Sequence, residues 1–138
     1  MEARVLLVDD EADFVAPLLK RMKKRQIDIA AVGSGEEALE FLRHEPVDVV
    51  VLDLKMPGMN GIETLREIKS RHPLVEVIML TAHANVKDAL EGMKCAAFDY
   101  LMKPIELEQL LYKIDDAFKL KTIRQSKQGP AGPGEPDG

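Results

Sequence analysis

Three carboxylates, Asp9, Asp10 and Asp53, stand where apolar runs of the chain end, and so do a hydroxyl, Thr81, and an ammonium, Lys103. Three anions gathered in one pocket repel, and they stay ionised at neutral pH only if a cation or an ammonium compensates them. Oxygen-only ligands of this hardness suit Mg²⁺ or Mn²⁺, with water filling the remaining positions. A lone Asp at a strand end usually caps a helix, but three on converging ends are a ligand set. A carboxylate nucleophile, a divalent metal, a hydroxyl and a lysine are together the parts needed to move a phosphoryl group. Asp53 is the nucleophile candidate, because an aspartyl phosphate is an established kind of covalent intermediate.

Convergence of these residues requires a particular scaffold. Residues 4–8 (RVLLV), 48–54 (DVVVLDL) and 75–80 (VEVIML) are apolar without alternation, as strands buried on both faces of a parallel sheet require. Weaker strands are expected at 27–32 and 98–101. Between them, apolar residues recur three and four apart: Phe14, Leu18 and Met22 with Val15 and Leu19; Ala38, Leu39 and Leu42; Ile62, Leu65 and Ile68. A short helix is expected over 85–95, with Gly92 inside it, and a last one over 106–121 with Leu107, Leu110, Leu111, Ile114 and Phe118 on one side. Ser34-Gly35-Glu36-Glu37 has the form of a capping box, and His72-Pro73 closes the third helix. The pattern is an α/β fold: a doubly wound, flavodoxin-like, five-stranded parallel sheet of order 2-1-3-4-5 with its crevice at the carboxyl ends of the strands. In that order strands one and three lie about 4.8 Å apart, which brings Asp9, Asp10 and Asp53 into one pocket. Residues 1–122 form the single domain. Seven of the last ten residues are Gly or Pro, so 123–138 is expected to be a disordered tail or linker without a second domain.

The bulk properties remove other classes. The 138 residues are 46% apolar and 31% charged, and 19 Lys and Arg against 24 Asp and Glu give a net charge of −5, which disfavours direct binding of nucleic acid or of an acidic membrane. Cys95 is the only cysteine, so no internal disulfide forms; a small, partly buried hydrophobe in a reducing compartment is expected. The first apolar segment is too short and too acidic for a signal peptide or a span, which points to a cytoplasmic protein. Gly33-Ser34-Gly35-Glu36-Glu37-Ala38 formally fits a dinucleotide fingerprint with Asp53 about twenty residues on, but Glu36 and Glu37 would face the pyrophosphate. Asp9, Asp10 and Glu11 likewise occupy the loop that would cradle a flavin phosphate. An aspartyl phosphatase would need a cap or a substrate pocket for which the chain shows no segment. The basic run Lys20, Arg21, Lys23, Lys24, Arg25 ends the first helix, where positive charge is favourable in itself; docking of an acidic partner is its other use. Met56 and Met59 flank Pro57-Gly58, in loop packing or at a partner surface.

Four ordered motifs carry a resemblance: VLLVDDE (5–11), VLDLKMPGMNG (51–61), LTAH (80–83) and DYLMKP (99–104). Over about residues 3–122 the chain resembles the receiver domain of two-component response regulators. The resemblance implies that Asp53 is phosphorylated by a histidine kinase or a phosphotransfer protein. It further implies that Asp10, Asp53 and the Lys55 backbone carbonyl hold Mg²⁺, with Asp9 acting largely through water. Thr81 and Lys103 match the groups that bind the phosphoryl oxygens, Thr81 and Tyr100 match the switch, and Lys103-Pro104 matches a cis peptide. Lys55 and His83 occupy positions that tune the lifetime of the phosphate. Such a domain is a signalling phosphoacceptor, self-catalysed in phosphotransfer and dephosphorylation, and not an enzyme acting on a separate substrate. Its fourth helix, fifth strand and fifth helix signal to a downstream protein or effector domain, or to a second copy in a phosphorylation-dependent homodimer. The alternative is a binding module of the same fold that signals without phosphorylation. The family often has Gly where this chain has Ala96; a left-handed backbone would cost about 1 kcal/mol there, so a small local adjustment is expected.

Overall fold

The computed structural model describes residues 2–55, 59–82 and 86–127. Its elements alternate: β1 (Arg4–Val8), α1 (Ala12–Lys24), β2 (Asp28–Val32), α2 (Gly35–His44), β3 (Val49–Leu52), α3 (Gly61–Arg71), β4 (Glu76–Thr81), α4 (Val86–Lys94), β5 (Asp99–Met102) and α5 (Leu107–Lys127). The five strands form one parallel sheet in the order β2-β1-β3-β4-β5. β3 and β4 are buried along their whole length, whereas the edge strands β2 and β5 are only partly so. This is why the first, third and fourth strands read as apolar runs and the edges read weakly.

Strand side chains alternate between two cores. Leu6, Val8, Val50, Leu52, Val77 and Met79 pack with α2 and α3 on one face. Val5, Leu7, Val49, Val51, Ile78 and Leu80 pack with Met22 of α1 and Leu110 and Ile114 of α5 on the other. Val8 pairs with Leu52, and the ladder runs one residue further: Asp53 N–H donates to the Val8 carbonyl at 2.9 Å and Asp9 N–H to that of Val32 at 3.0 Å. On the other side Thr81 pairs with Met102, and Lys103 N–H donates to the Thr81 carbonyl at 2.9 Å. Backbone hydrogen bonds therefore set the height of every functional side chain.

Several expectations require correction. At Ser34 only half of a capping box forms: its hydroxyl accepts from Glu37 N–H, but the Glu37 carboxylate reaches Gly33 N–H instead of Ser34's. The reciprocal box lies at Asn60 and Glu63, heading α3. α5 runs to Lys127 instead of ending near Lys121, so 123–127 are helical and not tail. Arg124 within this extension pairs with the buried Glu76 carboxylate of β4 at 2.8 Å, and Lys121 just before it pairs with Asp48, next to β3, at 2.7 Å. Residues 128–138, with most of the expected tail, lie outside the described residues, as does Asn85 at the expected start of α4. Met59 packs against the first core; Met56 lies outside the described residues. Of the basic run, Arg25 pairs with Glu108 and the other four are exposed. Among the described residues no helix is long and apolar enough to cross a membrane.

α4 is lightly anchored. Gly92 is its one buried residue among those described, and the Met79 thioether fills the place that a side chain there would need. Val86, Leu90 and Met93 are exposed, Val86 at 75%. At its carboxyl end Ala96 makes no adjustment: its φ is 70°. Ala96 N–H donates to Met93 O and Ala97 N–H to Gly92 O, both at 3.1 Å, which closes the helix and feeds Phe98 N–H to Val77 O. These bonds outweigh the left-handed cost, and Ala96→Gly is expected to raise stability by about 0.5–1 kcal/mol, a gain of a few degrees in Tm. Gly61 meets a different constraint, since a Cβ there would lie 2.4 Å from Leu54 Cα. Gly61→Ala is expected to cost about 1–3 kcal/mol in chemical denaturation, because backbone beside Asp53 must shift.

Candidate functional site

The strand ends converge as the order 2-1-3-4-5 demands. Asp9 and Asp53 are each only 4% exposed, whereas Asp10 is exposed, and ligand oxygens of all three lie within 4.8 Å of one another. Thr81 is fully buried at the end of β4, and its hydroxyl hydrogen-bonds the Asp53 carboxylate. Lys103, whose side chain is 8% exposed, reaches over from β5: its Nζ is 2.7 Å from Asp9 Oδ2, 2.5 Å from Glu11 Oε1 and 3.8 Å from Asp53 Oδ2. Asp9 Oδ1 accepts the Glu11 backbone N–H at 2.9 Å, so each Asp9 oxygen already has a protein donor. Lys55 N–H donates to Asp53 Oδ1 at 3.3 Å, and the Lys55 side chain is exposed. The Lys103-Pro104 peptide is cis. Tyr100 is partly buried against the first core. His83 lies outside the described residues.

Two participants carry no expectation from the sequence. Glu11 is the residue before the first turn of α1, so its carboxylate rises beside the Asp9-Asp10 pair; its place next to two aspartates was the available signal. Phe14, one turn on, puts its ring under the lysine, with Lys103 Nζ 4.1 Å from the centroid. Nothing in the sequence distinguishes it from the other apolar residues of that helix face.

The electrostatics are lopsided. Burial, and then the neighbouring Asp9 charge, push the Asp53 carboxyl above the ordinary aspartate range, against the opposing pull of Lys103, the Lys55 N–H and the Thr81 hydroxyl. Three carboxylates, those of Asp9, Glu11 and Asp53, lie within 4 Å of the Lys103 ammonium, and Asp10 adds a fourth beside Asp9 and Asp53. An all-oxygen donor set with such an excess of negative charge fits a hard divalent cation.

Residues 5–115 match the family model described as the response regulator receiver domain. The luminescence regulatory protein LuxO of Vibrio campbellii is 35% identical over 116 residues, which are 84% of this chain and 26% of that protein. The transcriptional regulatory protein ZraR of Escherichia coli K12 is 35% identical over 113 residues, 82% of this chain and 26% of that one. The chain thus spans about a quarter of the length of the curated relatives it matches. Among solved structures, the signal receiver domain of a LuxO repressor protein from Vibrio parahaemolyticus superposes with a TM-score of 0.85 at 29% identity, covering 94% of this chain and 99% of that one. A receiver domain protein from Clostridium thermocellum gives a TM-score of 0.82 at 33% identity, covering 88% and 98%.

The raised Asp53 carboxyl has a stability consequence. A carboxyl with a raised native pKa destabilises the fold once it ionises, an effect fully present above the native value and absent below the unfolded value of about 3.9. In chelator at pH 7, Asp53→Asn is therefore expected to raise Tm by a few degrees, and thermal melts at falling pH should show that gain shrinking to nothing near pH 4.

Proposed function

This chain belongs to the response regulator receiver family, and on that premise we propose that it takes a phosphoryl group onto Asp53 from a sensor histidine kinase or a phosphotransfer protein. The observation that carries the proposal is a buried Asp53 at the centre of the strand ends, with a second and third carboxylate, a buried hydroxyl and a lysine ammonium gathered around it. An ionised Asp53 oxygen attacks the phosphorus of a phosphohistidine; the P–O bond forms as the P–N bond breaks, and the imidazole leaves. Lys103 and Thr81 take the phosphoryl oxygens, the first as a positive charge and the second as a hydrogen-bond donor, in a site dry enough for both to count strongly. Asp10, Asp53 and the Lys55 carbonyl would hold Mg²⁺, or Mn²⁺ in its place, with Asp9 acting through water because Lys103 and an N–H already occupy its oxygens. When bound, the ion neutralises charge on the transferring group. Water later hydrolyses the acyl phosphate, and Lys55 and His83 set its access.

Signalling follows from the exchange of partners at Thr81 and Lys103. Thr81 is drawn toward the new phosphoryl oxygens, Tyr100 follows, and the surface of α4, β5 and α5 changes. That surface suits a binding role, because Val86, Leu90, Met93, Met102 and Tyr112 all expose apolar area. A lightly anchored α4 is the kind of low-stability element from which switches are drawn. The partner is a downstream protein, an effector domain or a second copy in a phosphorylation-dependent homodimer. Relatives named as transcriptional regulators, of which the chain matches about a quarter, favour the effector domain. A cytoplasmic setting belongs to the same proposal. The chain is thus a phosphoacceptor that turns over only its own phosphate.

Intact-mass analysis after incubation with acetyl phosphate tests this. One phosphoryl group is expected with Mg²⁺ and none in chelator; Asp53→Asn should abolish the gain, and Lys103→Ala should slow it at least about ten-fold. A gain that survives Asp53→Asn overturns the assignment.

A further inference from the structure

Lys103 is tethered from two chemically different sides. Its hydrogen bonds go to Asp9 Oδ2 at 2.7 Å and Glu11 Oε1 at 2.5 Å, and its Nζ sits 4.1 Å from the centroid of the Phe14 ring. The 3.8 Å to Asp53 Oδ2 is too long for a hydrogen bond. Two of the three N–H groups of the ammonium are engaged by carboxylates, so a phosphoryl group on Asp53 is bound either by turning the third N–H to it or by exchange for one of the carboxylates. A carboxylate opposes that exchange, because it competes for the same donors. An aromatic face does not: the ring quadrupole attracts the charge whatever the direction of the N–H bonds, and it ties up none of them.

We propose that Phe14 is a positioning residue for phosphoryl transfer: its ring face keeps the Lys103 ammonium beside Asp53 and out of bulk water while the lysine turns an N–H to a phosphoryl oxygen. The proposal rests on the receiver reading of the site. Lysine needs such a brace more than arginine would, because a compact ammonium on a four-carbon stem has many rotamers and a strong preference for water. Glu11 cannot hold it alone, being 57% exposed in its side chain. Phe14 can, because its ring is packed on α1 against the second core and does not swing with the loop. Leu at this place would fill the core but offer no π face.

The test separates ring chemistry from bulk and uses the full chain. With acetyl phosphate and saturating Mg²⁺, Phe14→Leu is expected to slow phosphorylation of Asp53 about five-fold, while Phe14→Tyr stays within about two-fold of the wild type. Nuclear magnetic resonance supplies a readout independent of activity. The Lys103 ε-methylene protons should be shifted upfield by the ring current in the wild type, remain so in Phe14→Tyr and return to ordinary positions in Phe14→Leu. An unshifted ε-methylene in the wild type overturns the contact without any variant having to fold. A Phe14→Leu protein as fast as the wild type, or a Phe14→Tyr protein as slow as Phe14→Leu, overturns the positioning role. Failure of the wild type itself to take a phosphoryl group would instead overturn the receiver reading, with the resonance result standing apart from it.

Discussion

Negative charge packed at one end of the sheet, against the buried ammonium of Lys103, is the constraint around which this molecule is organised. Asp9 and Asp53 are nearly inaccessible, Asp10 and Glu11 crowd them from the loop, and Lys103 answers from inside. Left to themselves such groups would protonate or repel, and the Asp53 carboxyl is raised first by its burial and then by the Asp9 charge. The same imbalance creates an appetite for a divalent cation and for a group whose oxygens can occupy Lys103 and Thr81. Function and strain at this site have one origin.

The rest of the fold keeps that charge from dispersing. Backbone ladders continue one residue past β1 and β3, so Asp9 and Asp53 stand at fixed heights on adjacent strands, while the β4–β5 register does the same for Thr81 and Lys103. Two apolar layers clamp the sheet from both sides. Below Asp53, Gly61 lets α3 start against the strand end itself, and the Asn60–Glu63 box caps that helix where it begins. Rigidity is thus concentrated beneath the site.

Compliance lies to one side. α4 buries only Gly92 among its described residues and ends in a left-handed alanine, while β5 is an edge strand that is only partly covered. Thr81 and Lys103 are attached directly to this side: Thr81 closes β4, next to β5, and Lys103 follows β5, so any rearrangement of the two would reach these elements first. α5, in contrast, is tied at its far end by Lys121–Asp48 and Arg124–Glu76, so its carboxyl end moves with the sheet.

Much of this was legible in the chain. Buried parallel strands announce themselves because both faces must be apolar, and an aspartate that interrupts such a run marks a strand end without need of coordinates. The chain-order motifs around Asp9, Asp53, Thr81 and Lys103 then carried the family. What the sequence could not yield were relations between residues far apart in the chain whose types are ordinary in isolation. Phe14 reads as one more apolar position on α1, and only the fold sets its ring under Lys103. The last turn of α5 reads as tail because its local composition is polar, and only the fold brings the Glu76 carboxylate of β4 to Arg124 there. Ala96 stays left-handed because hydrogen bonds on both sides of it outweigh a local penalty. Local sequence sets periodicity, burial and the type of each reactive group; distance, charge balance and the outcome of competing local preferences belong to the packed chain, where contacts across the sheet outweigh what any single segment prefers.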